Sequence, residues 1–575
     1  MNRGSRRAIT LIGATALIFG VTSMGEPPTP KSPDADQALA TASTATSFAG
    51  VSATTAPMSE VGPTPADREI SFELILAFPG RAAMGAYASS VGDPSSGEYR
   101  HFLSAEEIGA RFGIAEDDLA RIDRWAADHG VATGPSSPQR ISIPASAPTA
   151  TIERLFGVTL TEFTDPSGRT FHAPTGDPSL PAELTGLVTA VDGLDTRPTE
   201  RPAFSHPIAA GPDGGMKPSI IDRTYELEGL RTLGIHGEGQ TVALVSLDTF
   251  DPADVHRFDG LAGISAPAVE RIKVNGGVSR PGDGQDEVNL DIDVLRAVAP
   301  QARILDYEAP NSSNAIASVI DRIVGDGRAE IISISWGSCE ADRSSAGLAR
   351  MASSLAAAAA AGISVFVASG DHGAYDCIDS DRTDLQISVD SPAGDVNAIG
   401  VGGTYVSMLE DGTYIDEVAW EEPLTGWAPG GGLSTYYRRP SWQVGAGVDN
   451  KRSNGMRQVP DVAAAADPDS GFLTVSAGQS GAGGGTSAAA PFWAAFAALV
   501  RQLGEQEGVK GLGSLGKTLY EVAAAQPAGS LFHDVTRGGN LYDDAGPGWD
   551  YATGLGTPRG TPLAHAIIDH LKGGG

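Results

Sequence analysis

Between residues 241 and 401, five short runs are apolar almost without interruption: Thr241–Leu247, Ala302–Tyr307, Glu330–Ser335, Ser364–Ala368 and Val396–Val401. A strand with one face in water alternates apolar and polar residues, whereas one that is apolar throughout must be covered on both faces. Helical stretches such as Ala315–Val324 and Ser344–Ala361 lie between most of the runs. They are long enough to serve as the crossovers that parallel strands require. From about Pro218 onward the chain is therefore expected to form an α/β fold, a parallel sheet flanked by helices.

The preceding residues read differently. From Asp67 the pattern is one of short strands (Glu69–Phe78, Gln139–Ile143, Val158–Phe163, Thr170–His172) and two helices (Ala105–Phe112, Ala115–His129), which predicts a small α+β domain over 67–195. A segment rich in Pro, Gly and Thr follows, and 196–217 reads as an exposed, cleavable linker before a main domain at 218–575. Ahead of it all, Gly25–Ala66 is mostly Ala, Thr, Ser and Pro and cannot bury a core, so 24–66 reads as a linker. Arg3, Arg6 and Arg7 head an apolar run, Ala8–Val21, that is too short to span a bilayer and matches a secretory leader cut after Ser23. Residues 1–23 are thus expected to direct export, by a general or a twin-arginine route, leaving no membrane segment in the cleaved protein.

Charge narrows the partners. Against 40 basic residues stand 71 acidic ones, a net charge of -31, and no basic stripe suits a phosphate backbone, so nucleic-acid binding is not expected. Such a surface repels itself at neutral pH and loses much of its charge near pH 4, which fits either plain solubility or life in acid. Two cysteines, Cys339 and Cys377, exclude a four-cysteine zinc site and leave room for one disulfide.

Gly484-Gly485-Thr486-Ser487-Ala488-Ala489-Ala490-Pro491 opens a helical apolar run to about Leu503. A serine there sits at the positive end of a helix among residues small enough to admit a peptide. The motif resembles the nucleophile of subtilisin-like peptidases, but a serine hydroxyl needs a base. Of the histidines, only His129, His236 and His372 precede glycine, and none continues to threonine as a subtilase histidine does. Glu287 and Asp291 offer an alternative. Four residues apart in a helical pattern, they share one face with Val294 and Val298, a face expected to be half buried. Two acids held there would share a proton, one acting as base and the other holding it. Asp371, in Ser369-Gly370-Asp371 after an apolar strand, stands where subtilases place an asparagine that donates to the oxyanion. A carboxyl can do this only when protonated.

Together these residues resemble the sedolisin family of serine-carboxyl peptidases, kumamolisin-like members included. The resemblance implies a subtilisin-like sheet preceded by a ferredoxin-like activation prodomain. It also implies Glu287 as general base, Asp291 as its supporting acid, Ser487 as nucleophile and Asp371 as oxyanion donor. Gly97–Leu103 and Ala173-Pro174-Thr175 look like the family's prodomain, and Val459–Ala463 like one of its catalytic segments. Ser335, Trp336 and Gly337 would pair with the substrate backbone by strand addition. Gly430–Ser434 is either another wall of the cleft or a flexible loop. Some relatives carry a further acid on the first strand of the catalytic domain, where this chain has Ser246.

Near the C-terminus, Asp534 and Asp550 flank a glycine-rich loop offering the hard oxygens that calcium takes. The family's arrangement implies one structural Ca2+ on Asp534, Asp550 and the carbonyls of Val535, Gly546 and Gly548. Cys339 follows the Ser-Trp-Gly strand end and Cys377 the Asp371 turn, so adjacent strand ends can bring them into a disulfide. The expectation is a secreted (extracellular or periplasmic) monomeric endopeptidase that acts in acid on proteins or peptides. Its own prodomain would inhibit it until acid weakens their contact. The rival readings are a non-catalytic calcium-binding or adhesion protein on this scaffold and a histidine-dependent subtilase.

Overall fold

A computed structural model describes residues 58–165, 168–203, 214–379 and 384–573. The expected leader, most of the first linker and residues 204–213 of the second lie outside the described residues. Folded structure begins earlier than Asp67, because β1 (Ser59–Pro63) pairs antiparallel with β5 (Leu160–Thr164). The 24–66 linker is corrected to that extent. β1 is an edge strand held by its backbone, with Val61 60% exposed, so it carries no apolar pattern to read.

The N-terminal region runs β2 (Glu69–Leu76), α1 (Arg81–Val91), α2 (Ala105–Phe112), α3 (Glu116–His129), β3 (Ala132–Thr133), β4 (Ser142–Pro148), α4 (Thr149–Phe156), β5, β6 (Thr170–Pro174) and β7 (Val188–Asp192). β3, β4, β2 and β7 lie side by side, all antiparallel, which is the order of a βαββαβ unit. Its alternating inward residues, Ile70, Phe72, Leu74 and Leu76, pack with Trp125, Ile143, Ile152 and Phe156 in a core of their own. α2 starts where it does because Ser104 caps the Glu107 amide while the Glu107 side chain returns to the Ser104 amide.

After β8 (Arg201–Pro202) come β9 (Thr241–Ser246), β10 (Glu270–Lys273), α5 (Gln285–Val298), β11 (Arg303–Glu308), α6 (Ala315–Asp326), β12 (Ile331–Ile334), β13 (Trp336–Cys339), α7 (Ser345–Ala360), β14 (Ser364–Ala368), β15 (Asp390–Ser391), β16 (Ile399–Met408) and β17 (Tyr414–Ala419). β18 (Gly432–Arg438), β19 (Met456–Val459), β20 (Val462–Ala465), β21 (Phe472–Ser476) and α8 (Thr486–Gln506) follow. The main sheet has the order β10-β11-β9-β12-β14-β16-β17, with β20 also joined to β16. All its pairs are parallel except β16 with β17. β9, β12 and β14 are buried along nearly their whole length, as strands covered on both faces must be. Residues 287–298 of α5 are all buried, not half buried, because α8, β21 and the helix Pro252–Ala262 all pack against it.

The N-terminal region rests on the sheet's helices. α1 and α2 pack on α7, Phe102 sits over Gly362, and the Leu103 amide donates to Ala360 O at 3.0 Å. Acidic groups cross this contact. Ser318 Oγ donates to Glu73 Oε2 at 2.9 Å, and Asn314 Nδ2 donates to Asp192 Oδ1 at 3.1 Å. Beside them, the buried Arg350 is paired with Asp321. Burial, with Asp192 nearby, pushes Glu73 up to about 7, and burial also raises Asp192.

Candidate active site

Four elements converge at the carboxyl end of the sheet. α5 supplies Glu287 and Asp291, 1% and 0% exposed. Ser335 lies between β12 and β13, where the chain leaves the sheet. Its Oγ donates to Asp291 Oδ1 at 2.6 Å and lies 3.2 Å from Ser487 O. Ser487 is the second residue of α8, whose N-cap Gly485 offers no side-chain cap. Asp371 lies in the turn after β14, and its Oδ1 accepts from the Thr486 amide at 2.8 Å and the Thr486 hydroxyl at 2.9 Å.

Gly485 shows how tightly these groups meet. A Cβ there would overlap the carbonyl oxygen of Ala203, lie 2.6 Å from Asp371 Oδ2 and 3.1 Å from Ser487 Oγ. Its φ of 85° is also one that only glycine adopts freely. Three oxygens thus surround one small space that glycine keeps open.

Glu287 completes the cluster. Neither of its oxygens, nor Ser487 Oγ, makes a hydrogen bond of normal length among the described residues. Burial raises Glu287 well above the carboxylate range, and Asp291 and Asp371 add to the rise. The Ser487 and Ser335 hydroxyls, close enough to favour the ionised form, oppose it. Burial likewise raises Asp291. No basic side chain among the described residues forms an ion pair with either acid of α5, so the pair holds a proton readily.

A peptide already lies across this place. β8 runs antiparallel to β13, with Pro202 opposite Trp336 and Arg201 opposite Gly337, and the Ala203 amide donates to Ser335 O at 2.9 Å. Asn311 brackets the segment upstream, with Oδ1 accepting from the Thr199 and Glu200 amides and Nδ2 donating to Glu200 O. Glu200 is paired with Arg343. Arg201, Pro202 and Ala203 share a pocket with Gly337, Asp371, Asp376 and Asp390. Gly430 presses on Ser369 O and its amide donates to Gly370 O at 2.7 Å, so Gly430–Ser434 passes directly behind the Asp371 turn. Cys339 and Cys377 are joined in a disulfide at the edge of the same pocket.

Two of the histidines that precede glycine, His236 and His372, are engaged by other groups. The His372 ring packs 4.6 Å from the ring of Trp427. The backbone at His236 is held by Gln502, fifteen residues along α8 from Ser487, or about 22 Å of helix.

Comparison with known proteins gives this geometry its context. Residues 57–197 match the family model described as Pro-kumamolisin, activation domain, and residues 280–518 match the Subtilase family. Kumamolisin of Bacillus sp. strain MN-32 is 35% identical over 82% of this chain and 86% of its own length. The chain belongs to the sedolisin family of serine-carboxyl peptidases. Within that family, sedolisin of Pseudomonas sp. strain 101 is 28% identical over 83% of each chain. A solved Pseudomonas sedolisin, complexed with two molecules of pseudo-iodotyrostatin, superposes with a TM-score of 0.55 at 29% identity, covering 62% of this chain and 98% of that one. The subtilisin-like sheet with an N-terminal activation domain is therefore a sedolisin architecture.

The C-terminal loop is also organised around carboxylates. Asp534 accepts from the Gly548 amide at 3.0 Å. Asp550 accepts from the Gly546 amide at 3.0 Å and from the amides of Ala552 and Thr553. Burial pushes Asp550 up to about 6, and neither aspartate forms an ion pair among the described residues. Two carboxylates without a basic partner among the described residues, turned to the same loop, supply hard oxygens of the kind a divalent cation takes.

Sequence reasoning missed two features here. One is the side chain of Ser335, because strand pairing with the substrate speaks only for its backbone. The other is the placement of residues 199–203 in the cleft, held mostly by backbone groups and so without a side-chain signature.

Proposed function

We propose that this protein is an exported proenzyme that cuts its own linker in acid and then acts as an endopeptidase on other proteins. Ser487 Oγ attacks the peptide carbonyl carbon while Glu287, supported by Asp291, takes the hydroxyl proton. The tetrahedral oxyanion is met by a proton on Asp371, whose Oδ1 is held in place by Thr486. Glu287 returns its proton to the leaving amine, the C–N bond breaks, and an ester on Ser487 remains. Water, deprotonated by Glu287, then attacks the ester and frees the acid. A carboxyl donor with a reference pKa of about 3.9 works when the medium keeps it protonated, hence action in acid.

What carries the reading is the meeting of Ala203 O, Asp371 Oδ2 and Ser487 Oγ around Gly485. Ala203 then supplies the acyl group, the bond after Ala203 is the maturation site, and residues 67–195 are the prodomain. One structural calcium ion bound by Asp534, Asp550 and the carbonyls of Val535, Gly546 and Gly548 would cross-link the C-terminal loop. Holding the proprotein at pH 4 tests the proposal. The wild type shortens itself to a new N-terminus at residue 204, while Ser487→Ala and Glu287→Ala stay intact. Self-processing by either variant at the wild-type rate refutes it.

A further inference from the structure

Ser335 touches the bound segment, the acid pair and the nucleophile at once. Its carbonyl oxygen accepts the Ala203 amide at 2.9 Å. Its side chain turns the other way, into the protein, and is wholly buried. There the hydroxyl reaches Asp291 Oδ1 on α5 at 2.6 Å and Ser487 O on α8 at 3.2 Å.

We infer that the Ser335 hydroxyl is a positioning residue for the acid pair, fixing the Asp291 carboxyl group against the backbone of the nucleophile. This rests on the reading of Glu287 and Asp291 as the proton-handling pair. A serine has one proton to donate and here two acceptors. With Asp291 ionised, the short charge-assisted bond takes that proton. With Asp291 protonated, its O–H donates to Ser335 Oγ, and the serine proton turns to Ser487 O. The first turn of α8, which carries Ser487, thus receives a hydrogen bond in one protonation state of the pair and loses it in the other.

The setting makes this more than an ordinary buried serine. A buried serine in or beside a helix commonly bonds a nearby carbonyl of its own turn. Ser335 instead bonds residues 44 and 152 positions away, both in the reacting set. The titratable groups facing the pair are Glu287 and Asp291 themselves and Asp371 from the turn after β14. Asp293 points elsewhere, to the Thr474 hydroxyl and the Val475 amide on β21. Ser335 favours ionisation of both Asp291 and Glu287. Removing its hydroxyl therefore makes the pair hold its proton to higher pH and leaves Asp371, which Thr486 holds, as it was.

The pH profile of kcat/KM on a peptide substrate, measured with the matured enzyme, reads this directly. The acid limb reports release of a proton by the pair, and the alkaline limb reports loss of the Asp371 proton. Ser335→Ala is expected to move the acid limb up by about one pH unit, the worth of one hydrogen bond to a charged group. The alkaline limb should stay in place, and KM should change little because the backbone grip remains. Ser335→Thr, which restores the hydroxyl, should return the acid limb toward wild type. If alanine does not fold, Ser335→Cys, with its weaker donor, should place the limb between wild type and the expected alanine position. An unmoved acid limb in Ser335→Ala or Ser335→Cys, whatever the loss of rate, overturns the inference. Glu287→Gln and Asp291→Asn run in parallel keep the two levels apart. Loss of activity in both with an unmoved Ser335→Ala limb sinks only the role of Ser335, whereas wild-type rates in both sink the underlying mechanism.

Discussion

Glu73→Gln tests how pH acts on the contact between the N-terminal region and the peptidase. In the assembled chain Glu73 is raised from an ordinary 4.5 to about 7, first by burial and then by Asp192. A group whose pKa is raised by association binds best when protonated. Its favourable contribution is complete below about 4.5 and is lost as pH rises through about 7. Linkage then makes the contact about a hundredfold tighter at pH 4 than at pH 7 through this group alone, or about 3 kcal/mol. Part of Glu73 stays in contact with solvent, so this figure is a ceiling. The expectation that acid weakens the prodomain contact is therefore reversed for these buried carboxylates, and Asp192 is shifted in the same direction. Glutamine keeps the shape and the neutral state at every pH. The dissociation constant of the cleaved N-terminal fragment, measured by gel filtration across pH 4–7, should weaken with rising pH in the wild type. In Glu73→Gln that dependence should flatten, with tighter binding at pH 7 and similar binding at pH 4. Identical pH dependence in the two proteins would refute the reasoning.

If Asp371 is the proposed oxyanion donor, Asp371→Asn replaces a donor that needs acid with one that does not. Its alkaline limb should move up by two pH units or more in a peptide-hydrolysis profile, at some cost in peak rate. Calcium at a hundred times its Kd should add about 2.7 kcal/mol to the matured enzyme. A chelator should therefore lower the thermal midpoint by several degrees, and Asp534→Ala should abolish the difference. An unchanged midpoint with chelator would remove calcium from the account.

What could be read from the chain follows from how each element is stabilised. β9, β12 and β14 announce themselves because strands buried on both faces must be apolar throughout, and their bounds agree with the sequence to within about a residue. Glu287 and Asp291 could be paired because helical geometry alone puts residues four apart on one face. The depth of their burial could not be read, since it depends on α8 and β21, which arrive about two hundred residues later. β1 and β8 were invisible for a shared reason: both are held by backbone hydrogen bonds, and any side chains would serve. Nothing in the local pattern marks Glu73 and Asp192 as buried, since α6 and α7 cover them, and a serine beside a tryptophan gives no sign that its hydroxyl spans two helices.

The direction of the Glu73 effect bears on the order of events in maturation. If acid loosened the N-terminal region first, the segment Thr199–Ala203 would lose the framework that holds it across β13 just as Asp371 became able to donate. The buried carboxylates favour the opposite order. Acid strengthens their part of the contact and so keeps Ala203 against Ser335 and Gly485, in the pH range where the proposed mechanism needs a proton on Asp371. Cleavage then comes before release. Once the bond after Ala203 is cut, the N-terminal region is no longer tethered. It loses the effective concentration that a covalent tether supplies, and dilution can remove it even from a tight site. On the proposed mechanism, the chemistry that opens the cleft is thus the step that acid switches on. Departure of the fragment follows from breaking the chain, and a return to neutral pH would speed it through Glu73 and Asp192.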